Sequence, residues 1–108
     1  MDITINARHC TVPESLRNQA AQRLTRLDRI GAGITSATVI FEGAANSRRV
    51  EARLAVAGGP PLVSHGDDAT LRGALDGALS RLERQLKRRR KRALDKRSRG
   101  PSRRMIDA

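Results

Sequence analysis

Hydrophobic and polar positions along the chain switch between two periods, and the switches mark the elements. Ile3, Ile5 and Ala7 alternate with Asp2, Thr4, Asn6 and Arg8, the period of two that belongs to a strand with one buried face. Further on the period lengthens. Leu16, Ala20, Leu24, Leu27 and Ile30 recur at three- and four-residue spacing, which predicts an amphipathic helix closed by Gly31 and Gly33. Thr11 and Glu14 bracket Pro13 with the spacing of a capping box at the start of that helix. Residues 36–42 are too short and too β-branched for a helix and read as a second strand, followed by a turn over 43–47. Val50, Ala52, Leu54 and Val56 then alternate with Arg49, Glu51, Arg53 and Ala55, a third strand that stops at Gly58-Gly59. Pro60-Pro61 opens a fourth, Leu62-Val63-Ser64-His65. Prolines cannot donate to a ladder, so this strand is expected at a sheet edge. Asp67 or Asp68 caps a second helix whose apolar stripe is Leu71, Leu75, Ala78, Leu79, Leu82 and Leu86, with Gly73 and Gly77 read as points of close approach to the sheet.

The order β-α-β-β-β-α defines an α+β domain: a four-stranded sheet with two helices packed on one face, an arrangement resembling a double-stranded RNA-binding domain. A strand-helix-strand opening predicts a parallel first pair, and the short turns that follow predict an antiparallel meander. A chain of 108 residues has room for one such domain, drawn here over residues 1–95. Residues 96–108 show no periodicity and are expected to form a basic, disordered tail.

Charge changes the picture because it is lopsided. Lys and Arg total 22 against 11 for Asp and Glu, a formal net charge of +11. Residues 1–80 carry 9 basic and 8 acidic side chains, whereas residues 81–104 carry 13 and 2. A block of positive charge at one end points to a polyanionic partner, nucleic acid first of all. There is no Trp, no Tyr and one Phe, so the aromatic platforms on which single-strand binders stack bases are missing. Recognition of phosphates and backbone shape remains. The single cysteine, Cys10, excludes an internal disulfide and reads as a small buried or half-buried side chain. Neither a signal-peptide pattern nor a run of about 20 apolar residues is visible, so no membrane association and a cytoplasmic location are expected.

Three stretches resemble the ribosome hibernation-promoting factor family, the ribosome-associated translation inhibitors, in a short form. They are Met1-Asp2-Ile3-Thr4-Ile5, the helix-one run from Glu14-Ser15-Leu16-Arg17 to Arg23-Leu24-Thr25-Arg26-Leu27, and Asp76-Gly77-Ala78-Leu79-Ser80-Arg81-Leu82-Glu83-Arg84-Gln85-Leu86. The last is the most specific: an Asp, a basic-Leu-x-Arg-Gln-Leu core, then basic residues at alternate positions, Arg88, Arg90 and Arg92. The chain departs from the family at Ile30-Gly31 and Leu71-Arg72, where relatives often carry aromatic residues. The resemblance implies a factor that binds ribosomal RNA of the small subunit in the decoding cleft, where messenger and transfer RNAs pass, and inhibits translation in stationary phase or stress. It implies RNA contacts from Arg23 and Arg26 on helix one and from Arg81, Arg84, Arg88, Arg90 and Arg92 on helix two, with Arg17 as a further candidate. Lys87 and Lys91 belong to the same basic block. Long members of the family carry a C-terminal domain that pairs ribosomes, and this chain is expected to lack it.

Other chemistries fit the residues less well. His9 and His65 have no spacing that requires an acid-base pair, and Asp67, Asp68 and Asp76 read as a cap pair and a helix-face residue rather than a metal site. No catalysis, metal, cofactor or small-molecule substrate is expected. The alternative is a general nucleic-acid-binding protein, for nucleoid or RNA packaging, which would use the same charge without a defined site.

Overall fold

The computed structural model describes residues 1–43 and 46–107 along the backbone, with side chains through Asp95. Along the backbone α2 runs without a break across the boundary drawn at residue 95, and the side chains of the tail expected beyond it lie outside the described residues. The elements run β1 (Asp2–Arg8), α1 (Glu14–Leu27) with a 3-10 turn (Asp28–Ile30), β2 (Ile34–Gly43), β3 (Arg48–Val56), β4 (Leu62–Asp68) and α2 (Leu71–Asp107). The sheet order is β1-β2-β3-β4, parallel between β1 and β2 and antiparallel elsewhere, so the expected α+β order and pairing senses are those observed.

The register explains why one face is apolar. Across the four strands, Ile3, Ala37, Leu54 and Leu62 align in one row, Ile5, Val39, Ala52 and Ser64 in the next, and Ala7, Phe41, Val50 and Gly66 in a third. Successive residues of a strand point to opposite faces, so these rows make a continuous inner surface. The helix stripes Leu16, Ala20, Leu24 and Leu27 of α1 and Ala74, Leu75, Ala78, Leu79, Leu82 and Leu86 of α2 bury against it. Phe41, the one aromatic, is 0% exposed at the centre. Each large side chain of this set contributes about 1.5–3 kcal/mol by leaving water.

Both helix starts differ from the expectation. Helix α1 begins one residue after Pro13, whose carbonyl accepts from the amides of Leu16 and Arg17 at 3.0 and 3.1 Å, and no side chain caps it. The capping box at Thr11 is therefore out of register: Glu14 is already the first helical residue, and Thr11 lies outside the turn. At α2 neither Asp67 nor Asp68 is the cap. The Thr70 hydroxyl accepts from the Gly73 amide at 3.0 Å, and Asp68 Oδ2 accepts from the Thr70 amide at 3.2 Å and from its hydroxyl at 3.0 Å. Asp68 thus orients the cap from just ahead of the helix. Its carboxyl is held below the ordinary 3.8 by the backbone and side-chain hydrogen bonds from Thr70.

The glycine that admits close approach is Gly66 on the strand. A Cβ there would fall on the Ala74 carbonyl oxygen and within 2.7 Å of the Ala78 nitrogen, whereas one on Gly77 would be in ordinary contact, 3.7 Å from the Gly66 Cα. Gly73 makes room for the Asp68 carboxylate rather than for the sheet. Beside Gly66, the buried Ser64 hydroxyl donates to the Ala78 carbonyl at 2.6 Å, so polar atoms at the α2–β4 contact are satisfied.

Candidate nucleic-acid interface

Helix α2 has more faces than its apolar stripe reveals, because its cations divide by what lies next to them. Along the outer margin of the edge strand β4, three side chains at four-residue spacing donate to strand-side carbonyls. The Arg81 guanidinium reaches His65 O at 2.6 Å, Gln85 Nε2 reaches Val63 O at 3.2 Å, and Arg89 reaches Pro60 O at 2.5 Å. An edge strand presents unpaired carbonyls on alternate residues, here Val63 and His65, with Pro60 just ahead of the strand, and i, i+4 side chains of a helix share a face, so one face of α2 reaches all three. Arg81, Gln85 and Arg89 clasp the sheet edge.

A second set ties α2 to the α1 side. Arg23 pairs with Asp76 at 2.7 Å, and the Arg90 guanidinium donates to Gly31 O, just past the 3-10 turn, at 2.6 Å. Lys87 lies 3.5 Å from Glu83 one turn back, an exposed pair of small energetic consequence. Arg23 and Arg26 border a depression between the helices together with Leu27, Leu79 and Glu83.

What remains is a row with no such engagement. Arg84, Arg88, Lys91 and Arg92 are exposed and make no hydrogen bond or ion pair among the described residues. Arg84, Arg88 and Arg92 recur every four residues, with Lys91 alongside, so they project as one stripe, about 6 Å per step along the axis. Arg88 and Arg92 also border a depression at the start of β4, with Leu62, Gln85 and Arg89. Like charges held together on a free surface repel by a few tenths of a kcal/mol per pair, a cost that phosphates would reverse.

Of the ten residues expected at the interface, seven lie on α2, divided among the β4 edge, the α1 side and the open row, and Arg23 and Arg26 lie on the flank of α1 that faces α2. Arg17 stands apart: it lies six residues from Arg23, about one and two-thirds turns, and so on the opposite flank of the buried stripe. Four of the ten, Arg23, Arg81, Lys87 and Arg90, have intramolecular partners. Sequence reasoning passed over Gln85 and Arg89; the edge placement of β4 was the available signal that its carbonyls needed partners.

The opposite sheet face is neutral by arrangement. Arg8, Glu42, Arg49 and Asp67 align across the four strands with alternating sign. One step along, Glu51 accepts from His65 Nε2 at 2.9 Å and from Arg53 Nε at 2.8 Å. Partial desolvation acts to raise the Glu51 carboxyl, but the hydrogen bonds and charges of His65 and Arg53 outweigh it and hold the group below its usual 4.5. His65 is thus occupied by Glu51 on the face away from the helices. Cys10 is half-buried, its Sγ 3.6 Å from Phe41 O, as a small packing side chain. No helix among the described residues is long and apolar enough to cross a membrane.

The α+β fold, two helices over one face of a four-stranded sheet in the order β-α-β-β-β-α, is that of a family of ribosomal proteins. The chain belongs to the Sigma 54 modulation protein / S30EA ribosomal protein family, whose model matches residues 3–93. Among curated relatives it is similar to a ribosome hibernation promoting factor of Pseudomonas putida, 30% identical over 88 residues, covering 82% of this chain and 85% of that one. Among solved structures it is similar to the Protein Y N-terminal domain of Thermus thermophilus, with TM-score 0.73, 32% identity and coverage of 82% of this chain and 98% of that chain. The fold is shared with a ribosomal subunit interface protein from Coxiella burnetii, TM-score 0.75 at 19% identity, over 83% of this chain and 98% of the other.

Proposed function

We propose that this protein is a ribosome hibernation factor that docks α2 on ribosomal RNA of the small subunit, in the cleft used by messenger and transfer RNAs, and so holds translation off under stress or in stationary phase. The observation that carries the reading is the exposed row Arg84, Arg88, Lys91 and Arg92. It is backed by a clasp that fixes the helix to the sheet, and a rigid cationic ridge meets a phosphate-lined cleft without first having to order itself. Family membership and the name of the Pseudomonas putida relative support the ribosome as the target. The domain over residues 1–95 is the binding unit, and nothing in the proposed contact uses turnover, a metal or a cofactor.

Cosedimentation with purified small subunits at physiological salt tests it. The wild-type protein is expected to pellet with subunits in the presence of excess duplex DNA, and the quadruple variant R84Q/R88Q/K91Q/R92Q to remain in the supernatant while keeping its circular dichroism. Binding titrated away by the DNA would favour the packaging alternative. Undiminished pelleting of the variant would overturn the reading of α2 as the anchor.

A further inference from the structure

Past the end of the core, two loops and one turn of α2 line an open pocket of about 260 Å³ that the cation row does not use. One wall is the loop through Gly31 and Gly33, the other the loop through Gly58 and Gly59, and a hydrogen bond from the Ala57 amide to Gly33 O, 2.9 Å, fastens them together. Both loops turn through left-handed glycines, Gly31 at φ 76° and Gly58 at φ 77°, a conformation that L side chains adopt only with strain. The floor is aliphatic: Ala32, Val56, Ala57, Ala93 and Leu94. Leu94 is 45% exposed, an apolar side chain left open next to the most basic stretch of the chain.

Two guanidiniums frame that floor. Neighbours in sequence, Arg89 and Arg90 diverge to opposite loops, where each is fixed by one carbonyl, Pro60 O for Arg89 and Gly31 O for Arg90. The absence of side chains lets them lie close: a Cβ on Gly59 would be 3.2 Å from Arg89 Nη1, and one on Gly31 3.5 Å from Arg90 Cζ. A guanidinium has five donors, so each keeps others for an anion, held in place before any ligand arrives.

We propose that this pole is a site for a single 5′-phosphorylated nucleoside, with the phosphate between Arg89 and Arg90 and the base against the aliphatic floor. Phosphate alone would leave the floor uncovered, and an uncharged apolar ligand would leave both guanidiniums unmatched. The volume lies just under the roughly 300–1,000 Å³ of drug-sized pockets, which suits one nucleotide and not a helical segment. With Phe41 fully buried, base contact falls to aliphatic carbon and to guanidinium planes, both of which bases accept. The unit comes either free or as one unstacked residue of an RNA strand, and in the second case the site rests on the function proposed above.

Backbone amide spectra of the full chain, titrated separately with adenosine 5′-monophosphate, inorganic phosphate and the trinucleotide ApApA, test the site. Saturable shifts of Ala32, Ala57 and Gly58 with the monophosphate, at least ten-fold tighter than with inorganic phosphate, support it. ApApA binding tighter than the monophosphate assigns the site to strand RNA, and the reverse assigns it to a free nucleotide. R89Q/R90Q is expected to lose the shifts. Because those arginines also hold the loops, L94D, which alters only an exposed side chain, serves as the second variant and is expected to weaken the monophosphate at least ten-fold. Equal affinity for phosphate and monophosphate, shifts unaffected by L94D, or no shifts at all would overturn the nucleotide site. None of these results bears on subunit binding by the α2 row, which the cosedimentation measures separately.

Discussion

At Gly66 a single hydrogen atom sets how near α2 can lie to the sheet. Substitution by Ala would drive a methyl group into the backbone of Ala74 and Ala78, which cannot rotate away as a side chain can. G66A is expected to destabilise the protein by about 1–3 kcal/mol, read as a lower urea midpoint, while G77A, in ordinary contact, changes it little. Titration at Glu51 belongs to the same scale. Its folded carboxyl is more acidic than the unfolded one, so the unfolded chain binds more protons as pH falls. The stabilisation is therefore present above the unfolded value near 4.5 and disappears as pH drops through the folded value. The urea-midpoint difference between wild type and E51Q is expected to be largest near pH 7 and to shrink as pH falls below about 4.5. Single residues were the least legible part of the sequence. Thr70 and Asp68 share one cap that local spacing assigned to an Asp alone, since which side chain reaches a first-turn amide depends on the angle at which the strand delivers the chain.

Element by element, the alternation of β1 and β3, the β-branched run of β2, the prolines ahead of β4 and the stripes of both helices were sufficient to place four strands and two helices, because a buried face imposes its period on the chain and prolines and turns bound it. The partition of the basic block on α2 was not legible. Arg88 and Arg89 are adjacent and chemically alike, yet one is open to solvent and the other donates to Pro60 O. R89A is expected to lower stability by about 0.5–1.5 kcal/mol by removing that hydrogen bond, and R88A to stay within about 0.5 kcal/mol of wild type. In subunit binding the order reverses, with R88A the more harmful in cosedimentation. Without the clasp β4 is left with open carbonyls, so R81A/Q85A/R89A is expected to aggregate more readily than R84A/R88A/R92A on concentration, measured by light scattering.

Taken whole, the molecule separates its charge: a sheet surface of alternating sign on one side and an unbalanced cation row on the other. Such a dipolar surface orients the protein as it approaches a polyanion and makes its affinity salt-dependent. For the wild type, the logarithm of the small-subunit binding constant is expected to fall linearly with the logarithm of salt. R84Q/R88Q/K91Q/R92Q should flatten that slope by about three to four, at about 0.7–0.9 for each of four phosphates no longer neutralised, whereas E51Q leaves it unchanged.

The amino-acid order alone determined the number of elements, their sequence, the apolar face of each and the end of the chain where charge accumulates, because those properties follow from local periodicity and composition. Which cations are spoken for was decided only by the tertiary structure. The carbonyls of Gly31, Pro60, Val63 and His65 become acceptors for α2 through the packing of segments that are 16 to 59 residues distant in the chain, and no local pattern encodes that distance.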